Sequence, residues 1–249
     1  MIDISIVIAT YNAEKYLQRC LDSIKANKSD NIELIIIDGK SNDNTCYIIK
    51  KNEQDIDFWL SESDKGIYDA WNKGIDIAKG NWIMFLGADD QLKVNAIQNY
   101  LTFLKSNNVS DIDYICALNE YIDKDGKIVS TIGDKSVWPK MRKYMSAAHV
   151  GSLHNRKLFE EVGNYDLQFR ICADYELLIR KRELLKSLFI AQKIAIMETG
   201  GMSFSYSAVK ELYAIRKYHR TLTPLENQFY FLRNIITFYL LKLKLLLTN

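Results

Sequence analysis

The chain has 249 residues, room for one large domain or two small ones at roughly 150 residues per domain. Apolar residues make up 48% and charged residues 26%, ordinary globular values that exclude a disordered chain. The net charge of +2 lacks the basic excess of a nucleic-acid binder, but residues 210–249 hold seven Lys and Arg against two Glu, so a mildly acidic body carries a basic, apolar tail.

The first half alternates strand and helix. Residues 4–9 (ISIVIA) read as a strand buried on both faces. Asn12 is placed to cap a helix whose apolar residues Leu17, Cys20, Leu21 and Ile24 recur at helical spacing. Residues 32–37 read as a second buried strand, and a helix follows from about Asn44, with Asp43 expected to cap it through Thr45. A short third strand at 58–60, a helix at 67–79 ended by Gly80, a fourth strand at 82–86 and a helix at 94–106 complete the pattern. Strands separated by single helices imply right-handed crossovers and a mainly parallel sheet.

After Leu118 the order changes. Asp125-Gly126 signals a hairpin within 121–129, Trp138-Pro139 a loop, 175–185 a helix and 193–197 a late strand. The tail from Ser207 reads as helical with a break near Pro224. The cysteines Cys20, Cys46, Cys116 and Cys172 form no CxxC pair, which argues against zinc or a redox site, and Cys20 and Cys46 read as small core residues. Without a signal-peptide pattern, the chain is expected to be cytoplasmic.

Ligands in such sheets bind at the carboxyl ends of the strands. One crevice should therefore be lined by Thr10-Tyr11-Asn12, Asp38-Gly39-Lys40-Ser41, residues 61–66 and Gly87-Ala88-Asp89-Asp90. The usual phosphate-loop, dinucleotide, zinc-protease and serine-hydrolase motifs are absent from the sequence. What remains is acidic: Asp38, Asp43, Asp64, Asp89 and Asp90 all fall at strand ends. Clustered carboxylates repel unless a cation or a proton joins them. A hard divalent ion, Mg2+ or Mn2+, fits oxygen ligands best, and it commonly bridges protein carboxylates to a substrate diphosphate. A nucleoside diphosphate derivative is the substrate this chemistry favours.

Segments SIVIATYN (5–12), IDGKSNDNT (37–45), SESDKGIYDAWNKGI (61–75), WIMFLGADD (82–90), HVGSLHNRKLFEEVGNYD (149–166) and ICADYELLIR (171–180) occur in order. As a set they resemble the family-2 glycosyltransferases of GT-A fold, in the branch that assembles bacterial polysaccharides such as O-antigen. The resemblance covers about residues 3–200. It implies an α/β, Rossmann-like catalytic domain over 1–205, with a nucleotide-binding half at 1–118, an acceptor-binding half at 119–205 and a helical extension at 206–249.

The resemblance also implies roles. Thr10, Tyr11 and Asn12 would surround the base and ribose, and Asp38 would accept a hydrogen bond from the base. Asp64, Lys65, Gly66, Asn72 and Ala88 would complete the nucleotide-sugar site, with Lys65 offering a charge because Trp71 stands where relatives carry Arg. Asp89 would be the metal ligand of an Asp-x-Asp motif whose first position is Gly87 here, with Asp90 and His149 in the acceptor and diphosphate pocket. Asp174 matches the catalytic base of an inverting transfer, although it could equally cap a helix starting at Tyr175; Glu176 is the fallback base. His154, Trp138 and Tyr144 are weaker candidates for the acceptor side.

The tail segment 229–247 carries Arg233, Lys242 and Lys244 and so lacks the uncharged run of about 18 residues that a spanning helix needs. On a helical wheel Arg233, Thr237 and Lys244 share one face, with Lys242 nearly opposite. Such a helix would lie on the inner face of the cytoplasmic membrane, or pack on the catalytic body or on a second subunit as a homodimer. The reading is an inverting, metal-dependent glycosyltransferase that moves a sugar from a UDP-sugar to a glycan or polyprenyl-linked oligosaccharide. The alternatives are a nucleotidyltransferase and a catalytically silent scaffold.

Overall fold

The computed structural model describes residues 2–247, with side chains described through Leu243. In chain order the elements are β1 (Ile4–Thr10), α1 (Leu17–Lys25), β2 (Ile32–Asp38), α2 (Thr45–Lys51), β3 (Phe58–Ser61), α3 (Ile67–Ile77), β4 (Trp82–Gly87), β5 (Gln91–Leu92) and α4 (Ala96–Ser106). The second half adds β6 (Tyr114–Ile122), β7 (Ile128–Ile132), α5 (Trp138–Met141), β8 (Leu153–Asn155), α6 (Arg156–Val162), α7 (Ala173–Ile179), β9 (Ser187–Glu198), α8 (Tyr206–Tyr218) and α9 (Pro224–Leu247).

The strands make a single mixed sheet in the order β3-β2-β1-β4-β8-β6-β9-β5, with β7 paired to β6. Its first four strands are parallel, as expected. β8 then pairs antiparallel to both β4 and β6, and β6 runs parallel to the long β9. Strand alternation sorts the apolar residues onto two faces. Val7, Ile35, Ile37, Ile83 and Phe85 pack under α3, α6 and α7, while Ile6, Ile8, Ile36, Met84 and Leu86 pack under α1, α2 and α4.

α3 lies unusually close to the sheet. A Cβ on Gly74 would stand 2.2 Å from Cγ1 of Val7, so only glycine lets the helix backbone reach β1 there. α8 and α9 fold back as a pair joined by aromatic contacts such as Tyr213–Phe231, at 4.9 Å between ring centroids. Arg216 of α8 is fully buried and donates to Asn227 Oδ1 at 2.7 Å and to the Lys143 carbonyl at 3.0 Å. One side of α9 is thus held by the body. Its other side presents Leu225, Phe229, Leu232, Ile236, Tyr239 and Leu243 to solvent.

Several local expectations are corrected. Asn12 does not cap α1, which begins at Leu17 with Tyr16 in the capping position. Asn12 has a left-handed backbone (φ 47°) and instead ties two loops: its N–H donates to Ser41 Oγ, and its Oδ1 accepts from the Asn42 N–H. Trp138-Pro139 opens a one-turn helix rather than a loop, because proline's fixed φ and missing N–H suit a helix start. The helix expected at 175–185 stops at Ile179, followed by a separate turn at Arg182–Leu184. Cys46 is half-exposed, its thiol facing Asp38 Oδ2 at 3.4 Å and Ser61 Oγ at 3.6 Å, and so belongs to the crevice rather than to the core. The expected face shared by Arg233, Thr237 and Lys244 rests partly on Lys244, whose side chain lies outside the described residues.

Candidate active site

Strand register brings the expected loops together. Thr10 is level with Asp38, Asp38 with Ser61, and Ala9 with Gly87, so the carboxyl ends of β1 to β4 open on one edge. There a cavity of about 400 Å3 is lined by Tyr11, Gly39, Lys40, Asn42, Ser63 and Asp64. Lys40 and Ser63 belong to the loops expected to line the crevice, whereas Asn42 lies one residue beyond the expected stretch.

Asp38 is fully enclosed at the floor of this edge. Its Oδ1 accepts from Thr10 Oγ1 (2.9 Å) and Ser41 Oγ (2.5 Å), and its Oδ2 from the Ser41 N–H (2.9 Å) and Ser61 Oγ (2.6 Å). Burial pushes its pKa up, but the Ser41, Ser61 and Thr10 donors outweigh that and hold it below the usual carboxylate range. In this arrangement Asp38 spends its oxygens on bracing the loops. Asp43 accepts from the Thr45 N–H and hydroxyl, as expected of a helix-start residue. Asp64 Oδ1 accepts from the Gly66 N–H at 2.9 Å and shapes the turn into α3, while Lys65 is exposed and its N–H donates to Asp69. Asn72 is committed to the protein: it donates to the Tyr165 carbonyl and accepts from the Tyr165 N–H, both at 2.9 Å.

At the end of β4, Ala88 is buried, Asp89 is exposed and Asp90 is buried. Asp90 Oδ2 accepts from the Gly87 N–H at 2.7 Å. Burial, then the neighbouring Asp89 charge, pushes the Asp90 pKa up to about 8. A Cβ on Gly87 would stand 2.8 Å from Asp89 Oδ1 and 3.1 Å from Asp90 Oδ2, so glycine leaves a small cradle between the two carboxylates. Among the described residues no cluster of three or more His, Cys, Asp and Glu could enclose an ion by itself. The cradle suits a cation held by one or two carboxylates that takes its remaining ligands from a diphosphate and water.

Asp174 is half-buried in the first turn of α7, whose capping position is Cys172. Burial raises its pKa against the opposing effect of the Tyr175 N–H and the Tyr68 hydroxyl. Tyr68 Oη lies 3.0 Å from Asp174 Oδ1. The phenol of Tyr121, on β6, is raised by burial and then by the charges of Asp90 and Asp174. Tyr68, Tyr121 and Tyr165 were not singled out from sequence, although Tyr68 and Tyr165 fall within the 61–75 and 149–166 segments.

Glu176, the fallback base, is engaged elsewhere in the structure. It is buried behind α7 and gripped by Arg180 (3.0 Å from Nε) and His219 Nε2 (2.6 Å). His149 and His154 stack among Trp71, Phe85, Tyr114 and Tyr165. His149 Nε2 meets Tyr165 Oη at 3.0 Å, and burial lowers its pKa to about 3, so its ring is neutral at physiological pH. Trp71 is buried in the same cluster, against Phe85, His149 and Tyr165. Trp138 packs against the apolar core, and Tyr144 is exposed.

Residues 5–182 match the family model of "Glycosyl transferase family 2". The chain belongs to glycosyl transferase family 2. This family-2 chain is 31% identical over 180 residues to the PGL/p-HBAD biosynthesis glycosyltransferase of Mycobacterium bovis (strain BCG / Pasteur 1173P2), covering 71% of this chain and 68% of the relative. It is 28% identical over 187 residues to an uncharacterized glycosyltransferase, MJ1057, of Methanocaldococcus jannaschii, covering 71% and 63%. Among solved structures, S. aureus TarS 1-349 in complex with UDP-GlcNAc superposes with a TM-score of 0.69 at 15% identity, covering 88% of this chain and 65% of that one. The mannosyltransferase PcManGT from Pyrobaculum calidifontis, in complex with GDP-Man and Mn2+, gives 0.65 at 12% identity, covering 92% and 69%. The chain spans 39% of the longer TarS chain. These superpositions show the GT-A fold, with its curled, mostly parallel sheet.

Proposed function

We propose that this family-2 glycosyltransferase moves a sugar with inversion from a UDP-sugar to a glycan acceptor, a lipid-linked oligosaccharide of a surface polysaccharide being the acceptor class we favour. The observation that carries the reading is the placement of three features at one sheet edge. They are the 400 Å3 cavity beyond β1 to β3, the exposed Asp89 at the end of β4, and Asp174 hydrogen-bonded to Tyr68 in the first turn of α3. The UDP-GlcNAc bound to TarS and the GDP-Man and Mn2+ bound to PcManGT support a nucleotide-sugar donor and a divalent cation.

In this reading Tyr11, Asn42 and Asp64 border the base and ribose, while Asp38 keeps their loops in place. Asp89, with Asp90 behind it, would hold Mn2+ or Mg2+, which when bound neutralises charge on the departing diphosphate. Asp174 accepts the proton of the acceptor hydroxyl as that oxygen attacks the anomeric carbon from the face opposite the diphosphate. Its buried setting makes it a stronger base than an exposed carboxylate. Positioned general-base assistance of this kind contributes ~10²–10⁴ in rate.

The outer face of α9 is proposed to rest on an anionic membrane, which would concentrate a lipid-linked acceptor. Its exposed apolar side chains are accompanied by Arg233 and Lys242, with no acidic residue after Glu226. No described helix is long and apolar enough to cross a membrane.

The test is calorimetry against a panel of UDP-, GDP- and TDP-sugars with and without Mn2+, followed by assay of nucleotide release. Binding of one donor, with Asp174→Asn keeping its affinity while losing transfer by about two orders of magnitude or more, is the expected result. Absence of binding across the panel would refute the enzyme and leave the scaffold reading.

A further inference from the structure

We propose that the Tyr68 hydroxyl is a two-position proton rotor that satisfies Asp174 both as carboxylate and as acid, an inference that rests on Asp174 being the base. Tyr68 Oη lies 3.0 Å from Asp174 Oδ1 and 2.7 Å from the Ile171 carbonyl oxygen. A phenol has one proton to give and can also accept. With Asp174 ionised, the hydroxyl donates to Oδ1. With Asp174 protonated, it turns onto the Ile171 carbonyl and accepts from the acid.

Both stops are fixed, so only the O–H torsion is free to move. The Tyr68 ring is buried on α3, with Trp71 at 5.4 Å and Tyr165 at 5.2 Å between centroids. The Ile171 segment is clamped by Glu211 of α8, whose carboxylate accepts the N–H groups of Arg170, Ile171 and Cys172 at 2.7, 2.7 and 2.6 Å.

The surroundings of Asp174 explain why such a device is needed. The titratable groups that feel its charge are the phenols of Tyr68, Tyr114, Tyr121 and Tyr165 and the Cys172 thiol, all pushed upward by burial. Among the described residues no cation forms an ion pair with Asp174, and Arg180, at the end of the same helix, is engaged by Glu176. A half-buried carboxylate in that setting needs a donor to stay ionised before the reaction and an acceptor once it has taken a proton. During transfer the acceptor's O–H bond breaks and its proton passes to Asp174. The acceptor oxygen bonds to the anomeric carbon, and the bond from that carbon to the diphosphate oxygen breaks, its electron pair leaving with the nucleoside diphosphate. The rotor turns as the proton arrives, and turns back when Asp174 releases it to water.

Tyr68 is therefore a positioning residue, and its test reads Asp174 directly. Protein labelled with ¹³C at the aspartate side-chain carboxyl is titrated by NMR, with the Asp174 resonance assigned by its loss in Asp174→Asn. Tyr68→Phe keeps the ring and its packing but removes the rotor. Because the bond to the ionised form is roughly twice as strong as that to the neutral form, the Asp174 midpoint should rise by about one pH unit. Replacing tyrosine with 3-fluorotyrosine, which makes the phenol a better donor, should move it down. Midpoints unchanged in both proteins would overturn the proposal. So would a loss of transfer in Tyr68→Phe with the midpoint unmoved, because that would make Tyr68 a packing residue only. The titration needs no sugar nucleotide, so its outcome is separate from that of the donor panel.

Discussion

The contact between α3 and the sheet gives a sharp energetic test. In Gly74→Ala the new methyl would stand 2.2 Å from Cγ1 of Val7, whereas carbon atoms settle at about 3.5–4.0 Å. Val7 is fully buried on β1 between β2 and β4 and cannot swing aside, so α3 must lift. Overpacking of this kind costs ~1–3 kcal/mol, and with so short a contact the upper end applies. The helix gains back ~1 kcal/mol from replacing an interior glycine, leaving a net loss of about 2 kcal/mol. Val7→Ala alone removes two buried methyls and should cost ~2–3 kcal/mol through lost burial and a cavity. In the double variant the methyl added at position 74 enters the space vacated by Val7, so the total should fall about 2 kcal/mol short of the sum. Urea unfolding of the four proteins, with the m-value checked for constancy, completes the cycle. Additivity to within ~0.5 kcal/mol would show that α3 does not bear on Val7 as described.

Further outcomes follow from other parts of the molecule. His149, neutral in the fold with a pKa near 3, binds fewer protons folded than unfolded, so its contribution is complete above its unfolded pKa of about 6.5 and is lost as pH falls toward 3. Between pH 7 and 5.5 the wild type should therefore lose about 1 kcal/mol relative to His149→Phe in paired urea melts, and equal pH slopes would mean that the folded ring takes up protons. Glu211→Ala removes three charge-assisted hydrogen bonds from the segment preceding α7 and should lower stability by ~2–4 kcal/mol, a reading that a loss under 1 kcal/mol would contradict. In flotation assays the protein should rise with phosphatidylglycerol-containing vesicles and not with phosphatidylcholine alone, and Arg233→Glu with Lys242→Glu should abolish this. Concentration-dependent dimerisation without flotation would assign the α9 face to a second copy instead.

Much of the first half could be read in advance because its rules are local. Buried parallel strands appear as unbroken apolar runs, and ligand loops follow their carboxyl ends, so Tyr11, Gly39, Lys40, Ser63 and Asp64 line one cavity in the loops the pattern marked, with Asn42 one residue beyond them. The second half resisted because its order is not sequential: β8 inserts between β4 and β6, a fact set by packing across distant segments. Asn12 misled for a related reason. Its left-handed backbone is stabilised by Ser41 and Asn42 about thirty residues away, and that partnership outweighs its preference for capping. Tyr68 and Asn72 likewise acquire their roles from Asp174 and Tyr165, roughly a hundred residues downstream. Residue types alone mark such groups as apolar filler or as polar residues facing water.

The Glu211 clamp has a mechanical side. It places the carbonyl on which Tyr68 depends under the control of α8, and α8 is itself bolted to α9 through the buried Arg216–Asn227 pair. If α9 rests on a membrane as proposed, the contacts that seat it and those that seat the Asp174 segment both run through α8.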